Sequence, residues 1–552
     1  MKTLLAALTL VATSAFAVTP TDAEIRKILT DRIDAQKQGV GMVVGIIDAK
    51  GRRIVSHGAF DVKNSHAVDG DTLFEIGSAT KVFTSVLLAD AVQRAEVQLD
   101  DPVAKYLPDG VKMPERGGKK ITLLDLAQHR SALPRLPSNL VPADPTNPYA
   151  DYTVAQLYEF LSTYELPRDI GSEYEYSNLG AGLLGHALAR RAGLDYAALV
   201  KKRITDPLMM KSTVITIPAT LKPRLAPGHD AELQPAANWD LPTLAGAGAL
   251  RSTANDLLTF LGANLGFTRS PLTPAMTSML RPRNSAGAGM SIAMGWHIAT
   301  AANGDEIVWH NGGTGGYRSF MGFNAKTKTG VVVLSNAATL AGPDDIGRHL
   351  LDPAFPLVEQ PKQVAANATL FDHFVGRYEL APNFVLTITR EADHLYLQAT
   401  GQPKFELFAK SDREYFLKVV DARVTFDADV NGKAPSLTLH QNGQHMPAKR
   451  LEGEAPAPKV RTEVALDPAI LDRYPGRYQL APAFIITITR EGNSLFLQAT
   501  AQPKFPMFAE SEREFFLKVV DAQVTFEVDA TGRATALVLH QSGADQRAPK
   551  MP

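Results

Sequence analysis

The stretch FEIGSATKVFTS, Phe74 to Ser85, sets a serine and a lysine three positions apart where an apolar run begins. The run continues as KVFTSVLLADAVQRAEV from Lys81 and carries an apolar stripe, so a helix is expected, with Ser78 and Lys81 on one face a turn apart. A serine hydroxyl is a weak nucleophile until a neighbouring base takes its proton. A lysine serves as that base when burial or nearby cations lower its pKa. The helix start also offers free backbone N–H groups to an oxyanion. Residue frequencies give about one or two Ser-x-x-Lys by chance in a chain of this length, and this chain has one.

Outward from this stretch, 552 residues exceed one ordinary core, so two to four domains are expected. The composition, 45% hydrophobic and 21% charged, is that of a soluble globular protein. A net charge of −1 gives no electrostatic case for a nucleic-acid partner or an anionic membrane surface. Met1-Lys2, the apolar LLAALTLVA and Ala15-Phe16-Ala17 read as a signal peptide, residues 1–17, cut after Ala17. An exported protein, periplasmic or secreted, is therefore expected. The apolar run is too short to serve comfortably as an anchor, and no later stretch suits a bilayer span. The chain contains no cysteine, so it has neither disulfides nor a thiol nucleophile. Its histidines lack metal-ligand spacing, and no metal or cofactor is expected.

The strongest architectural signal is a repeat. GRYELAPNFVLTITRE at Gly376 recurs as GRYQLAPAFIITITRE at Gly476, and the offset of 100 positions holds without a gap from Gly376 to Gln441. That period marks a duplicated small domain, not a solenoid unit. Within each copy, residues such as Phe384, Leu386 and Ile388 alternate with Val385, Thr387 and Thr389, the pattern of short strands between turns. Seven or eight antiparallel strands fit. The expected organisation is a first domain at 18–355, linkers at 356–370 and 452–466, and β-barrel repeats at 371–451 and 467–552. The first domain has strands at both ends and helices between them, which suggests one α/β (α+β) unit whose terminal strands share a sheet.

A second motif lies in SEYEYSNLG from Ser172, where Tyr176-Ser177-Asn178 is the chain's only Tyr-x-Asn. A tyrosine beside a lysine can relay protons to a leaving group, and an asparagine can hold both the lysine and a substrate amide. By itself the segment also reads as a capping loop before a helix at Leu179. In this order, FEIGSATK, YSNLG and LRSTANDLLTF from Leu250 resemble the class C β-lactamase-like serine hydrolases. That family includes DD-carboxypeptidases, D-aminopeptidases and carboxylesterases. The resemblance spans Val18 to Phe355 and implies a serine β-lactamase/transpeptidase-like domain, a mainly antiparallel sheet flanked by helices. With the two repeats, which would be lipocalin-like barrels, the layout is similar to D-aminopeptidases. The resemblance implies that Ser78 is acylated, that Lys81 and Tyr176 share proton transfer, and that Asn178 positions substrate.

The family has a third motif, Lys-Thr-Gly or His-x-Gly, on a strand lining the cleft. The literal Lys328-Thr329-Gly330 lies between the strand-like runs YRSFMGFN and VVVLSN and reads as a hairpin turn. His310-Asn311-Gly312 ends an apolar run upstream and is the better candidate, so these three residues join Asn178 as expected substrate-binding positions. The resemblance also implies that the Gly313 amide pairs with that of Ser78 as the oxyanion hole. Lysine would give that wall a permanent cation, whereas histidine is mostly neutral at pH 7, so carboxylate recognition should be weaker and pH-dependent. Of the remaining features, His129 is expected to support structure, and the glycine-rich AGAGAL from Ala245 to let backbone pass close to the cleft.

The expected activity is cleavage of amide or ester bonds in small-molecule or short-peptide substrates through a Ser78 acyl-enzyme, as in a peptidase, D-aminopeptidase or carboxylesterase. One alternative is a β-lactamase or DD-carboxypeptidase. Another is a penicillin-binding receptor that acylates without turnover. In D-aminopeptidase relatives a barrel loop limits substrate size. The turns GQPKF at Gly401 and AQPKF at Ala501, or the loops SDRE at Ser411 and SERE at Ser511, are the candidates for that task here.

Overall fold

The structure is a computed structural model. It describes residues 20–551 except 288, 359–360, 362, 382–383, 401, 403, 419, 421, 428–432, 442–443, 453–462, 465, 482–483, 493, 500–503, 518–521 and 542–543. The expected signal segment, most of the second linker and parts of both QPKF turns lie outside the described residues.

Nine strands form the sheet that carries the site: β1 (Gly41–Asp48), β2 (Gly51–Asp61), β3 (Asn64–Ala67), β4 (Asn284–Ser285), β5 (Met290–Ile292), β6 (His297–Thr300), β7 (Glu306–Gly313), β8 (Arg318–Asn324) and β9 (Thr329–Ser335). Their order is β4-β5-β6-β7-β8-β9-β1-β2-β3, with antiparallel pairing throughout. The terminal strands do share the sheet, because Met42 to Ile47 of β1 pair with Ser335 to Gly330 of β9.

Alternation gives the sheet two apolar faces. Met42, Val44, Ile46, Val331 and Val333 pack with Ile25 and Leu29 of α1 (Asp22–Thr30) and Ile346 and Leu350 of a C-terminal helix (Asp344–Leu351). Their neighbours Val43, Ile47, Val332 and Leu334 join a larger core with α2 (Thr80–Gln93), α3 (Asn178–Ala192) and α4 (Ala254–Asn264). The C-terminal helix is α5. Every residue of α2 from Thr80 to Ala91 is buried, as its apolar run requires of a central helix. A buried ion pair, Arg32 Nη2 to Asp345 Oδ2 at 2.5 Å, ties the first helical segment to α5.

Each repeat folds as eight antiparallel strands, from Gly376–Ala381 to Gln444–Arg450 and from Gly476–Ala481 to Ala544–Pro549. The first closes into a barrel where Tyr378 and Glu379 pair with Arg450 and Lys449. In the second, an isolated bridge joins Tyr478 of the first strand to Lys550, the residue just after the last. Each repeat has its own apolar core, built on Tyr378 and Phe426 in one and Tyr478 and Phe526 in the other.

Candidate active site

The chain enters α2 through a short 3-10 turn, Gly77–Ala79, so Ser78 precedes the helix proper and Lys81 is its second residue. Gly77 makes that turn with φ +50°, in the left-handed region that favours glycine. A Cβ there would lie 2.7 Å from the Gly313 nitrogen. The end of β7 is pressed even closer, for a Cβ on Gly312 would stand 1.9 Å from the Ile76 carbonyl oxygen. That carbonyl accepts the Ser319 hydroxyl at 2.7 Å. Two glycines therefore bring the peptide of Gly313 against the peptide that leads into Ser78.

Lys81 is 2% exposed. Its Nζ lies 2.9 Å from Ser78 Oγ, 2.8 Å from Asn178 Oδ1 and 2.7 Å from the Ala247 carbonyl oxygen. Burial, and after it the Arg135 guanidinium, holds this amine well below its usual pKa of 10.5. Tyr176 sits against the amine, its ring centroid 4.7 Å from Nζ, with its phenol near enough to Ser78 to be influenced by it. Burial pushes the Tyr176 phenol well up, and Ser78 opposes that. Asn178 is fixed by α3, which Ser177 caps by accepting the Gly180 N–H at 2.8 Å, and its Nδ2 donates to Tyr149 at 3.2 Å.

His310 departs from expectation. Its imidazole is 0% exposed, so it does not present a surface to substrate. It packs 6.4 Å from the Tyr176 ring and 5.1 Å from that of His297. Nδ1 lies 2.5 Å from the Asn311 carbonyl oxygen and must be the donor, which leaves Nε2 a buried lone pair without a partner among the described residues. Burial first, then His297 and Lys81, keep the ring well below the ordinary histidine pKa. The pH-dependent wall expected from the sequence is thus a neutral, covered one. The Asn311 side chain does not join the cluster, because strand alternation sends it to the other face, where it donates to Asp344. Gly312 contributes a close approach, not a contacting group.

His129 supports the site from behind. Its Nδ1 accepts the Ser177 N–H at 3.1 Å, and its ring stacks on Tyr176 at 4.5 Å. The Lys-Thr-Gly tripeptide falls at the β8–β9 hairpin, with Lys328 exposed at φ +53° and the strand starting at Thr329. Sequence reasoning missed Arg135, Tyr149, His297 and the Ala247 carbonyl. Only Ala247 had a local signal, the glycine-rich segment. There Gly246 passes between α2 and α3, and a Cβ on it would stand 3.0 Å from the Ala181 carbonyl oxygen and 3.1 Å from Thr84 Oγ1. Among the described residues no group of three or more His, Asp or Glu is placed to hold a metal ion.

A serine beside a buried, depressed lysine under an antiparallel sheet fits a serine hydrolase. The chain belongs to the Beta-lactamase family, whose signature matches residues 25–354. A family described as Domain of unknown function (DUF3471) matches residues 360–453 and 460–549. Among relatives, the D-alanyl-D-alanine-carboxypeptidase/endopeptidase AmpH of Escherichia coli (strain K12) is 30% identical over 325 residues, 56% of this chain and 83% of the relative. Penicillin-binding protein 4* of Bacillus subtilis (strain 168) is 24% identical over 440 residues, 73% of this chain and 94% of the relative. A crystal structure of a class C beta-lactamase from Rhodobacter sphaeroides superposes with a TM-score of 0.50 at 28% identity, covering 57% of this chain and 94% of the other.

Proposed function

We propose that this serine hydrolase cleaves amide or ester bonds of small or short-peptide substrates through an acyl-enzyme on Ser78, after export from the cytoplasm. The observation that carries the reading is the 2.9 Å contact between Ser78 Oγ and a lysine amine that burial disposes to be neutral. A neutral Lys81 has two N–H groups for Asn178 Oδ1 and the Ala247 carbonyl and one lone pair for the Ser78 proton. Ser78 attacks the carbonyl as its proton passes to Lys81. The oxyanion rests on the Ser78 and Gly313 amides. Tyr176 delivers the proton from Lys81 to the leaving group, and water, activated by the same pair, then releases the acyl group.

Intact-mass spectrometry with a fluorophosphonate tests this. The wild-type chain should gain one adduct and Ser78→Ala none, with both giving the same thermal unfolding. An adduct on the alanine variant would refute the nucleophile. The names of the relatives favour a second reading, in which the substrate is a β-lactam or a peptide ending in D-alanine. Fast nitrocefin hydrolysis would select it, and a stable penicillin adduct without product would select a receptor.

A further inference from the structure

Resting on the hydrolase reading above, we propose that Arg135 recognises a carboxylate on the leaving-group side of the substrate. The third-motif histidine supplies no cation, since His310 is fully covered and bonded through Nδ1 to the Asn311 carbonyl, and Arg318 beside Gly313 spends its Nη1 on the Thr314 and Tyr317 carbonyls. Lys81 is buried and occupied by three oxygens. Arg135 is exposed, and its guanidinium carbon lies 5.1 Å from the centroid of the Tyr176 ring. That is the ring whose face Lys81 Nζ approaches to 4.7 Å, and the same Nζ stands 2.9 Å from Ser78 Oγ. The cation therefore stands over the residue that handles the leaving group's proton.

The backbone of Arg135 is fixed by hydrogen bonds, while its guanidinium rests on the Tyr176 ring. Its carbonyl accepts the N–H groups of Asn178 at 3.0 Å and Leu179 at 3.2 Å, and the Ser177 hydroxyl donates to Pro134 O at 2.6 Å. These bonds fasten the loop to the Tyr-x-Asn motif from both sides of residue 135. The guanidinium forms no ion pair with a carboxylate among the described residues, and the two glutamates just before Tyr176, Glu173 and Glu175, are engaged by Arg168. An exposed arginine beside a nucleophile, unspent on the protein's own acids, suits a planar carboxylate by its forked donors.

Two acetyl esters that differ in charge and little in shape, 3-acetoxybenzoate and 3-acetoxybenzamide, test the assignment. The wild-type enzyme should favour the benzoate in kcat/KM, with the preference shrinking as salt rises. Arg135→Gln should cut the benzoate-to-benzamide ratio at least tenfold, and Arg135→Lys should retain part of it. The corresponding phenols, 3-hydroxybenzoate and 3-hydroxybenzamide, compared as protectants of Ser78 against the fluorophosphonate, give the charge preference without turnover. An unchanged ratio in Arg135→Gln, or a wild-type preference for the benzamide, overturns the proposal while the Ser78 adduct leaves the hydrolase reading standing. Absence of the adduct fails that reading instead, and the proposal with it.

Discussion

A single amine governs the chemistry, and its surroundings set its pH range. Lys81 must be neutral to accept the Ser78 proton, so kcat/KM should fall as acid drives the pH down through its lowered pKa. Asn178→Asp would put a carboxylate 2.8 Å from Nζ and stabilise the ammonium form. We expect its acid limb to move up by at least one pH unit, read from the pH profile. An unmoved limb would mean that another group is the base. Gly312 is a second decisive residue. The methyl of Gly312→Ala would meet the Ile76 carbonyl at 1.9 Å, so β7 must shift away from the nucleophile turn. The expected cost is about 2–4 kcal/mol in denaturant unfolding, together with slower fluorophosphonate labelling of Ser78.

Among the elements, α5 joins the sheet to the helical turn after α1 (Asp31–Ala35) through two neighbouring aspartates with different tasks. Asp345 holds the buried Arg32, and Asp345→Ala should cost about 3–5 kcal/mol by stranding that cation, measured by denaturant unfolding. Asp344 receives the Asn311 amide on the rear of β7, and burial pushes its carboxyl from 3.8 up to about 6. The folded state then binds this proton more tightly than the unfolded one. Its contribution to stability is full below about pH 4 and lost as the pH rises to about 6. Asp344→Asn should remove that loss, so the variant's unfolding midpoint gains on the wild type across this interval; a constant difference would contradict it. These elements also show where the sequence was readable. Ser78, Lys81, Tyr176 and Asn178 lie in short motifs at helix starts, where spacing dictates a shared face, and the structure gathers them. Strands β8 and β9 were legible as strand-like runs on either side of a hairpin turn. The burial of His310 was not, because it depends on packing by β6 and by the Tyr176 loop, which lie far off in the chain. Arg135 belongs to a loop without a motif, and only backbone bonds to Asn178 and Leu179 bring it to the site.

At the scale of the whole molecule, the cores of the two repeats share no residue with those of the first sheet and its helices. A chain ending at Phe355 should therefore keep its fold and its reactivity toward the fluorophosphonate. If the barrels restrict the cleft, removal of Glu452 to Pro552, and then of everything after Phe355, should progressively raise kcat/KM for longer peptides relative to short ones. Unchanged preference would assign the barrels another task. The join between β1 and β9 has a consequence in time as well as in space. The Gly41 N–H donates to the side-chain carbonyl of Asn336, a partner 295 positions later. β1 pairs with β2 as soon as that hairpin emerges, but a growing chain must present nearly the whole domain before β1 finds β9 on its other side, and until then the central sheet stays open along that edge. On the export reading, that delay keeps the nascent polypeptide threadable through a translocation channel, and the sheet closes on the far side, where the enzyme is to work.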